Sequence, residues 1–545
     1  MGISRRDFSK LSFLYSLGSL ISPQTTFAKK PEQIEDFYLQ INLFGAPSRW
    51  QYDLPITPFD GDKLKENGHV ITSLNIRDDQ VTSSYKTNKI NGINLPPLWS
   101  EKLDILGKST SQSIIYNNML TIRGCDMAID GHEINSRKLV NPFGTGNSLT
   151  GHISNMSKAP YPAIQLLGKA SPLSTAPGAF HSTLGINPIN IAYNESYGKS
   201  ILSFGKYEKY LQIEDRILNI LEGRESKNRK SVTKLLKKNL DEIFDFYENR
   251  VKSYEKIIKA NTKFSKEFKN IPGYQFKRKA SDYETDSIRS MLGEFYIDGY
   301  FLCGENLTDM AKDLDYSDLA KRFAISETII KYELSSSCLM MVNPVEGLNI
   351  KGAYLEDDLH IEKSSGLIVP KKGVKPRTIK RDFTFDPHDI GLITETIMND
   401  QFYRCFQSCL LEFVQTLKKQ GKFDNTLIHI TSEFDRTPRL DLSGSDHGWQ
   451  GHTSTFITGK ISGSYVTGNI YVDNPRKDAL HFGNGTWGAA APNKELQNRH
   501  MSYRNIVSTI CNFLNIKSIT PSDMALISIK NDKKVNLLLG DAKNV

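Results

Sequence analysis

The chain has 545 residues, of which 39% are hydrophobic and 24% are charged, a balance that excludes a wholly disordered or collagen-like protein. Its net charge of +8 comes from 69 basic and 61 acidic residues spread along the sequence. This distribution argues against a nucleic-acid partner, which needs a concentrated basic face. Six cysteines are too few for a small disulfide-built scaffold.

Residues 1–28 have the three-part plan of a secretory signal. A basic start with Arg5 and Arg6 precedes the apolar run 11–21, and a polar stretch ends at Ala28. The adjacent arginines resemble a twin-arginine export signal, and an ordinary amphipathic helix is the alternative. We expect the twin-arginine export machinery to carry the protein to the periplasm or outside the cell. We expect no membrane span in the mature form.

The remaining chain is predicted to form a split α/β core, residues 29–205 and 281–545, around a helical insertion at 206–280. Residues 38–44 are predicted to form the first strand and residues 113–116 a second one. In the insertion, apolar residues recur at helical spacing between Lys and Glu, which predicts a long surface helix pair without chemistry of its own. The cysteines can pair in about 15 ways, and we interpret most of them as buried thiols.

The segment from about 380 to 452 is the most informative one. A short strand at 383–385, a helix at about 395–420 and a strand at 426–431 form a strand–helix–strand unit, which is typical of a parallel sheet. Ligands of such sheets lie beyond the carboxyl ends of the strands. Polar clusters follow both predicted strands, and a third lies in a glycine-rich turn at 444–452.

These clusters contain the residue types of a divalent metal site. Carboxylates supply oxygen ligands and imidazoles supply nitrogen ligands, for zinc, manganese, calcium or magnesium. An arginine beside them can offer a planar fork to a tetrahedral anion. The alternative for each cluster is a structural turn or ion pair. The clusters are Asp386 with His388, Glu433 with Arg436, and Asp446 with His447 and His452.

The order of these residues resembles a known family. Ser432–Pro438 reads Ser-Glu-Phe-Asp-Arg-Thr-Pro and is followed by Asp446-His447-Gly448. This resembles the Ser-Glu-Phe-Gly-Arg-Thr-Pro and Asp-His-Gly signature of an exported bacterial family, domain of unknown function 1501, of the alkaline phosphatase/sulfatase-like superfamily. The resemblance implies an α/β fold, a three-layer α/β/α sandwich of the alkaline phosphatase type with a helical insertion, and two metals at the sheet edge.

The resemblance also implies roles for individual residues and an activity. It implies an exported metal-dependent hydrolase of phosphate or sulfate esters, acting on a small anionic ester substrate. Ser48 ends a turn that is similar to the family's Gly-Gly-Pro-Ser element. The implied metal ligands are Asp386, His388, Glu433, Asp446, His447 and His452, and the implied substrate contacts or catalytic residues are Arg436, His132 and Ser48.

The chain also departs from the family pattern. Gln51 stands where many relatives carry Asp, and Asp435 replaces the glycine of the signature. The sequence contains neither the formylglycine motif of sulfatases nor the serine motif of alkaline phosphatases. These departures support a second hypothesis, a non-catalytic periplasmic binding or assembly protein on a degenerate phosphatase-like fold.

Overall fold

The structure is a computed structural model, and the predicted export signal at 1–28 lies outside the residues that it describes. The described residues are 35–55, 73–77, 80–84, 86–142, 148–157, 159, 163–166, 189–191, 227–262, 279–282, 287–302, 313–342, 345–383, 386–439, 442–471 and 489–541.

The described residues form helices and strands in mixed order. The helices are α1 (Ser113–Tyr116), α2 (His132–Val140), α3 (Leu149–Asn155), α4 (Lys227–Asn261), α5 (Ile288–Leu292), α6 (Ser317–Lys331), α7 (Leu392–Lys419) and α8 (Tyr503–Phe513). The strands are β1 (Phe37–Leu43), β2 (Ser73–Arg77), β3 (Gln80–Ser84), β4 (Asn88–Ile90), β5 (Ile93–Leu95), β6 (Leu103–Ile105), β7 (Lys108–Thr110), β8 (Asn118–Ile122), β9 (Ile164–Leu166), β10 (Ile189–Ile191), β11 (Tyr296–Ile297), β12 (Tyr300–Leu302), β13 (Ser337–Val342), β14 (Val345–Leu355), β15 (Leu359–Ile361), β16 (Ile368–Pro370), β17 (Arg377–Phe383), β18 (Thr426–Thr431), β19 (Asp435–Pro438), β20 (Ser445–Gly448), β21 (Ser454–Ile457), β22 (Gly463–Thr467), β23 (Ile470–Tyr471), β24 (Ala489–Ala490), β25 (Ile527–Ile529) and β26 (Val535–Leu537).

The centre of the protein is an eight-stranded mixed sheet in the order β10-β9-β13-β1-β18-β21-β8-β22. Strand β1 lies between β13 and β18 and is parallel to both. All seven of its residues are buried, as expected for a central strand that is covered on both faces. Strand β21 is antiparallel to its neighbours β18 and β8. The predicted α/β fold is therefore confirmed, with a mixed central sheet.

Helices cover both faces of this sheet. Leu39 and Ile41 of β1 belong to a hydrophobic cluster with buried residues of α4, α6 and α7. Tyr38 points to the opposite face and belongs to a second cluster, with residues of α2, α3 and α8. Because side chains alternate along a strand, β1 contributes to both clusters. Each large apolar side chain buried in this way contributes about 1.5–3 kcal/mol to folding.

Two predictions about strands are wrong. Residues 113–116 form the short helix α1, and the strand begins later, at Asn118. A four-residue apolar run has too little periodicity to separate helix from strand. The strand near 383 belongs to β17, in a four-stranded sheet with β11, β12 and β14, whereas β18 lies in the central sheet. The strand–helix–strand unit therefore connects two sheets.

Most of the described part of the predicted insertion forms the helix α4. Its apolar stripe, which includes Tyr247 and Tyr254, is buried against α6 and α7. Its charged residues are not all solvated, because Arg250 donates to Glu327 at 2.9 Å and to Glu412 at 2.7 Å. A partly buried cation between two carboxylates fixes the position of α4 on the core.

The described cysteines agree with their interpretation as thiols. Five of them are free and buried, namely Cys125, Cys338, Cys405, Cys409 and Cys511. Burial raises the pKa of the Cys511 thiol to about 11, and it raises the other four further. A protonated, buried thiol is unreactive, so these residues contribute to packing alone.

Candidate metal centre

The carboxyl ends of β1 and β18 meet at one edge of the central sheet. Asn42 of β1 pairs with Thr431 of β18, so the residues that follow the two strands are neighbours. The Gly45 backbone N–H donates to Glu433 Oε1 at 3.1 Å. Glu433 is fully buried. This edge is where the topology of parallel strands predicts a ligand site.

Three further segments complete this edge. Hairpin β19–β20 pairs Arg436 with His447 and carries the histidine over the strand ends. Gly444, at the tip of this hairpin, lies against the turn that holds His388, since a Cβ on it would be 2.1 Å from the His388 carbonyl oxygen. Helix α2 begins at His132. The site is therefore assembled from segments far apart in the sequence.

His132, His388 and His447, which we call the imidazole trio, come together at this edge. Each offers a ring nitrogen, and the three atoms lie within 4.8 Å of one another. The Nε2 atoms of His132 and His447 are 3.0 Å apart. The His388 and His447 rings lie edge to face with centroids 4.3 Å apart. Two imidazole ligands of a tetrahedral zinc ion, each at about 2.0–2.1 Å, are roughly 3.3 Å from each other, which is close to the 3.0 Å between His132 and His447.

A carboxylate lies beside the second nitrogen of each imidazole. His388 Nδ1 is 2.8 Å from Asp386 Oδ1, and His447 Nδ1 is 2.5 Å from Asp130 Oδ1. His132 Nδ1 is 3.8 Å from Glu433 Oε1. Metal-bound histidines commonly direct their other nitrogen to a carboxylate, which fixes the tautomer and orients the ring. His132 Nε2 also lies 3.3 Å from Asp386 Oδ2, so Asp386 contacts two of the three rings.

The charged groups have perturbed pKa values. Although burial acts in the opposite direction, the charge of Arg436 and hydrogen bonds from His132 and His388 hold the pKa of Asp386 far below its usual range. Burial, the charge of Arg436 and that of His132 lower the pKa of His447 to about 4. At neutral pH Asp386 is therefore ionised and His447 is neutral.

Two carboxylates of the site have unused buried oxygens. Glu433 Oε2 and Asp446 Oδ2 are buried and accept no hydrogen bond from any described residue. Asp446 uses its other oxygen to pair with Arg439, at 3.0 Å. A buried carboxylate oxygen without a donor is costly unless a cation binds it. Among the described residues, however, the group that could hold a metal consists of the imidazole trio alone, without these two predicted ligands.

Arg436 is fully buried, and its donors are engaged within the protein. Its Nε donates to the Ala46 carbonyl at 2.9 Å, and its Nη2 donates to the Gly45 carbonyl and, at 2.9 Å, to Asp386. Its Nη1 lies 3.2 Å from His388 Nδ1. In this arrangement Arg436 positions Asp386 and His388 instead of presenting an open fork to an anion.

Two other predicted residues are buried outside the imidazole trio. His452 is fully buried and its Nε2 lies 2.8 Å from Thr431 Oγ1, outside the imidazole trio. Ser48 is also fully buried, and its backbone N–H donates to Glu395 Oε1 at 3.3 Å. Gln51 donates to Thr396 at 2.9 Å and accepts from Asn399. Gln51 thus holds the start of α7.

Part of this site lies in a segment with a known pattern. Residues 378–477 match the model of the family described as Protein of unknown function (DUF1501). This segment is similar to the DUF1501 family. No curated protein and no solved structure matches the chain. The match confirms the resemblance over the segment that contains α7, β18 and the hairpin β19–β20.

The DUF1501 segment supplies His388 and His447, whereas His132 and Asp130 lie outside it. The family resemblance implied that His132 is a substrate contact or catalytic residue, and no role was predicted for Asp130. The pair Asp130-x-His132 after Gly124 and Cys125 has the mixture of acid and imidazole found in the other clusters. That mixture is the signal by which Asp130 could have been found.

Glu395 gives a prediction for pH dependence. Burial raises the pKa of this carboxyl from 4.5 to about 7. The folded state therefore favours the protonated carboxyl. The free energy of unfolding of the wild type falls as the pH rises from 4.5 through 7, because the folded protein must then hold a buried charge. We expect Glu395→Gln to gain about 3 kcal/mol in free energy of unfolding, relative to the wild type, between pH 4 and pH 8. Urea unfolding at both pH values measures this gain.

The matched control is Glu333→Gln. Glu333 is 73% exposed and pairs with Lys422 on the surface. Its difference from the wild type should stay within about 0.5 kcal/mol at both pH values. An equal response of the two variants would mean that Glu395 titrates like a surface carboxyl.

Proposed function

We propose that this protein is an exported, metal-dependent hydrolase of phosphate or sulfate esters. The observation that carries the proposal is the convergence of the imidazole trio, with a carboxylate beside each ring. We also propose the three-layer α/β/α sandwich of the alkaline phosphatase type, a proposal supported by helices on both faces of the central sheet. The match to a family of unknown function is neutral with respect to activity.

The donor set favours zinc among the metals that the sequence suggests. Three imidazole nitrogens suit zinc better than magnesium or calcium, which prefer oxygen ligands. Asp386, Glu433 and Asp446 have carboxylate oxygens that can complete the coordination of this ion or bind a second one. Manganese remains compatible with a mixed nitrogen and oxygen set.

The chain's own residues have distinct tasks in this proposal. A bound divalent metal polarises an ester oxygen and lowers the pKa of water. Asp130 and Asp386 orient the rings of His447 and His388, and Arg436 holds Asp386 in its ionised form. Ser48 is fully buried, so we assign it no attack on the substrate. A small anionic ester reaches the site from the side on which Asp386 is 38% exposed.

Export is a proposal that rests on the N-terminal sequence, through the twin-arginine machinery to the periplasm or outside the cell. Among the described residues, no helix combines the length and apolarity needed to cross a membrane. A fusion of residues 1–28 to a reporter that needs folding before export tests the route. Replacing Arg5 and Arg6 with Lys should abolish that export.

The binding alternative is favoured by one observation. The position where relatives carry Asp is occupied by Gln51, which is buried in a hydrogen-bond network at the start of α7. A site that has lost one ligand can retain a metal and an anion without turning over an ester. On this hypothesis the protein binds zinc and anions, and it hydrolyses no ester.

The deciding experiment uses the mature chain, stripped of metal and titrated with zinc or manganese. We expect tight zinc binding by calorimetry and turnover of 4-nitrophenyl phosphate or 4-nitrophenyl sulfate. Both should be lost in His388→Ala and kept in His500→Ala, a surface histidine beside Asp126. Absence of metal binding would overturn the hydrolase, and metal binding without turnover of any ester would favour the binding alternative.

A further inference from the structure

Two arginines, Arg289 and Arg439, lie beside the imidazole trio and form what we call the arginine pair. Arg439 donates from Nε and Nη2 to Asp446 Oδ1 at 3.2 and 3.0 Å, and the same oxygen is 3.9 Å from His388 Nε2. Arg289 Nη2 donates to Asp389 Oδ1 at 3.3 Å, and Arg439 Nη1 lies 3.9 Å from that oxygen. Two guanidinium groups therefore face one carboxylate next to the site.

The arginine pair is reachable from solvent, unlike Arg436. The side chain of Arg439 is 15% exposed, that of Arg289 is 34% exposed, and that of Asp389 is 53% exposed. An ion pair with a carboxylate that is more than half exposed contributes about 0–1 kcal/mol. An anionic group of a ligand can therefore displace Asp389 from between the two arginines at little cost.

Arg289 is held in place for such a ligand. Its guanidinium carbon lies 4.5 Å from the centroid of the Tyr296 ring, a cation–π contact. Its Nε is 3.4 Å from Ser443 Oγ, at the tip of the hairpin that carries His447. Stacking on an aromatic face restricts the guanidinium plane while its N–H groups stay available to a planar or tetrahedral anion.

We propose that the arginine pair binds a second anionic group of the substrate. The substrate then carries at least two anionic groups, one at the imidazole trio and another at Arg289 and Arg439, as a multiply sulfated or phosphorylated saccharide does. The position of the first group rests on the proposed function. A monoester with a single charge has no group for Arg289, so this residue selects the polyanionic ester.

The test compares two probes on the mature chain loaded with zinc. Calorimetry measures the binding of sucrose octasulfate and of inorganic sulfate to the wild type, to Arg289→Gln and to Arg289→Lys. We expect Arg289→Gln to lower the affinity for sucrose octasulfate roughly tenfold, which corresponds to the loss of one charge-assisted hydrogen bond. Its affinity for sulfate should change less than twofold. Arg289→Lys should recover part of the loss, because it keeps the charge without the fork.

The control is Lys533→Gln, which also removes one positive charge. Lys533 pairs with Asp424, near the start of β18 and so at the opposite edge of the sheet. This variant should bind both probes as the wild type does. An equal weakening by Lys533→Gln and Arg289→Gln, or no effect of Arg289→Gln, would overturn the proposal.

The result is separable from that for the hydrolase. In one outcome the protein binds zinc and turns over 4-nitrophenyl esters while its affinity for sucrose octasulfate is unchanged in Arg289→Gln. That outcome would support the hydrolase and reject the second anion site. Loss of sucrose octasulfate binding in Arg289→Gln, in a protein that turns over no ester, would retain the arginine pair as an anion site and reject the hydrolase.

Discussion

The His447→Ala variant is expected to lose zinc affinity by roughly 100- to 1,000-fold. Structural zinc sites bind with about 10–16 kcal/mol from four ligands, so one ligand contributes about 2.5–4 kcal/mol. His447 sits on hairpin β19–β20, and the partner of its Nδ1, Asp130, is 62% exposed, so folding should persist. Competition with a chromophoric chelator measures the affinity, and circular dichroism checks the fold.

Two further variants serve as comparisons for this zinc affinity. Asp130→Asn keeps the imidazole and weakens only its carboxylate partner, so it should lose about tenfold in affinity. His500→Ala removes an imidazole that does not belong to the trio, since its Nδ1 pairs with Asp126 Oδ2 at 3.3 Å. This variant should bind zinc as the wild type does. Equal affinities for His447→Ala and His500→Ala would show that the trio is a structural cluster.

The Arg49→Met variant is expected to lose about 3–5 kcal/mol of stability. Arg49 is fully buried and donates to both oxygens of Asp53, at 2.6 and 2.7 Å, and to Ser432 at 3.1 Å. Its charge also opposes the effect of burial on Asp435, whose pKa burial raises to about 6. Without Arg49 two buried carboxylates lose their cation. Urea unfolding at pH 7, followed by tryptophan fluorescence, measures the loss.

Two further variants separate the buried pair from ordinary surface charge. Arg137→Met removes the exposed pair with Glu133 on α2 and should cost less than about 0.5 kcal/mol. Arg49→Met combined with Asp53→Leu should recover part of the stability, because an apolar pair of similar volume often replaces a buried ion pair without loss, while Asp435 still lacks its cation. A cost below about 1 kcal/mol for Arg49→Met alone would contradict this account.

The sequence predicts the parts of this fold that carry a strong local pattern. Helix α7 and strand β18 lie where periodicity places them, because 28 and 6 residues of clear pattern determine them. Strand pairing is not local, and the assignment of β17 to a separate sheet depends on contacts with β14. For that reason the two strands were predicted to share one parallel sheet, whereas β17 and β18 lie in different sheets.

The site was predictable to the same degree. His388 and His447 stood out because acids and glycines surround them in one segment. His132 reaches them through the start of α2, a long-range placement that no spacing in the sequence expresses. The engagement of Arg436 with the carbonyls of Gly45 and Ala46 was also invisible, because backbone acceptors leave no trace in the residue types.

The imidazole trio has a consequence for the order of events during synthesis. The His132 and His447 nitrogens that lie 3.0 Å apart are separated by 315 positions along the chain. A ribosome adds about 5–20 residues per second, so His132 waits on the order of 15–60 s for its partner. An ion held by the trio is therefore acquired only after nearly the whole polypeptide has been made. On the proposed function, metal content then reports that translation has passed β20 and that the trio has assembled, and a chain cut short before β20 remains unloaded.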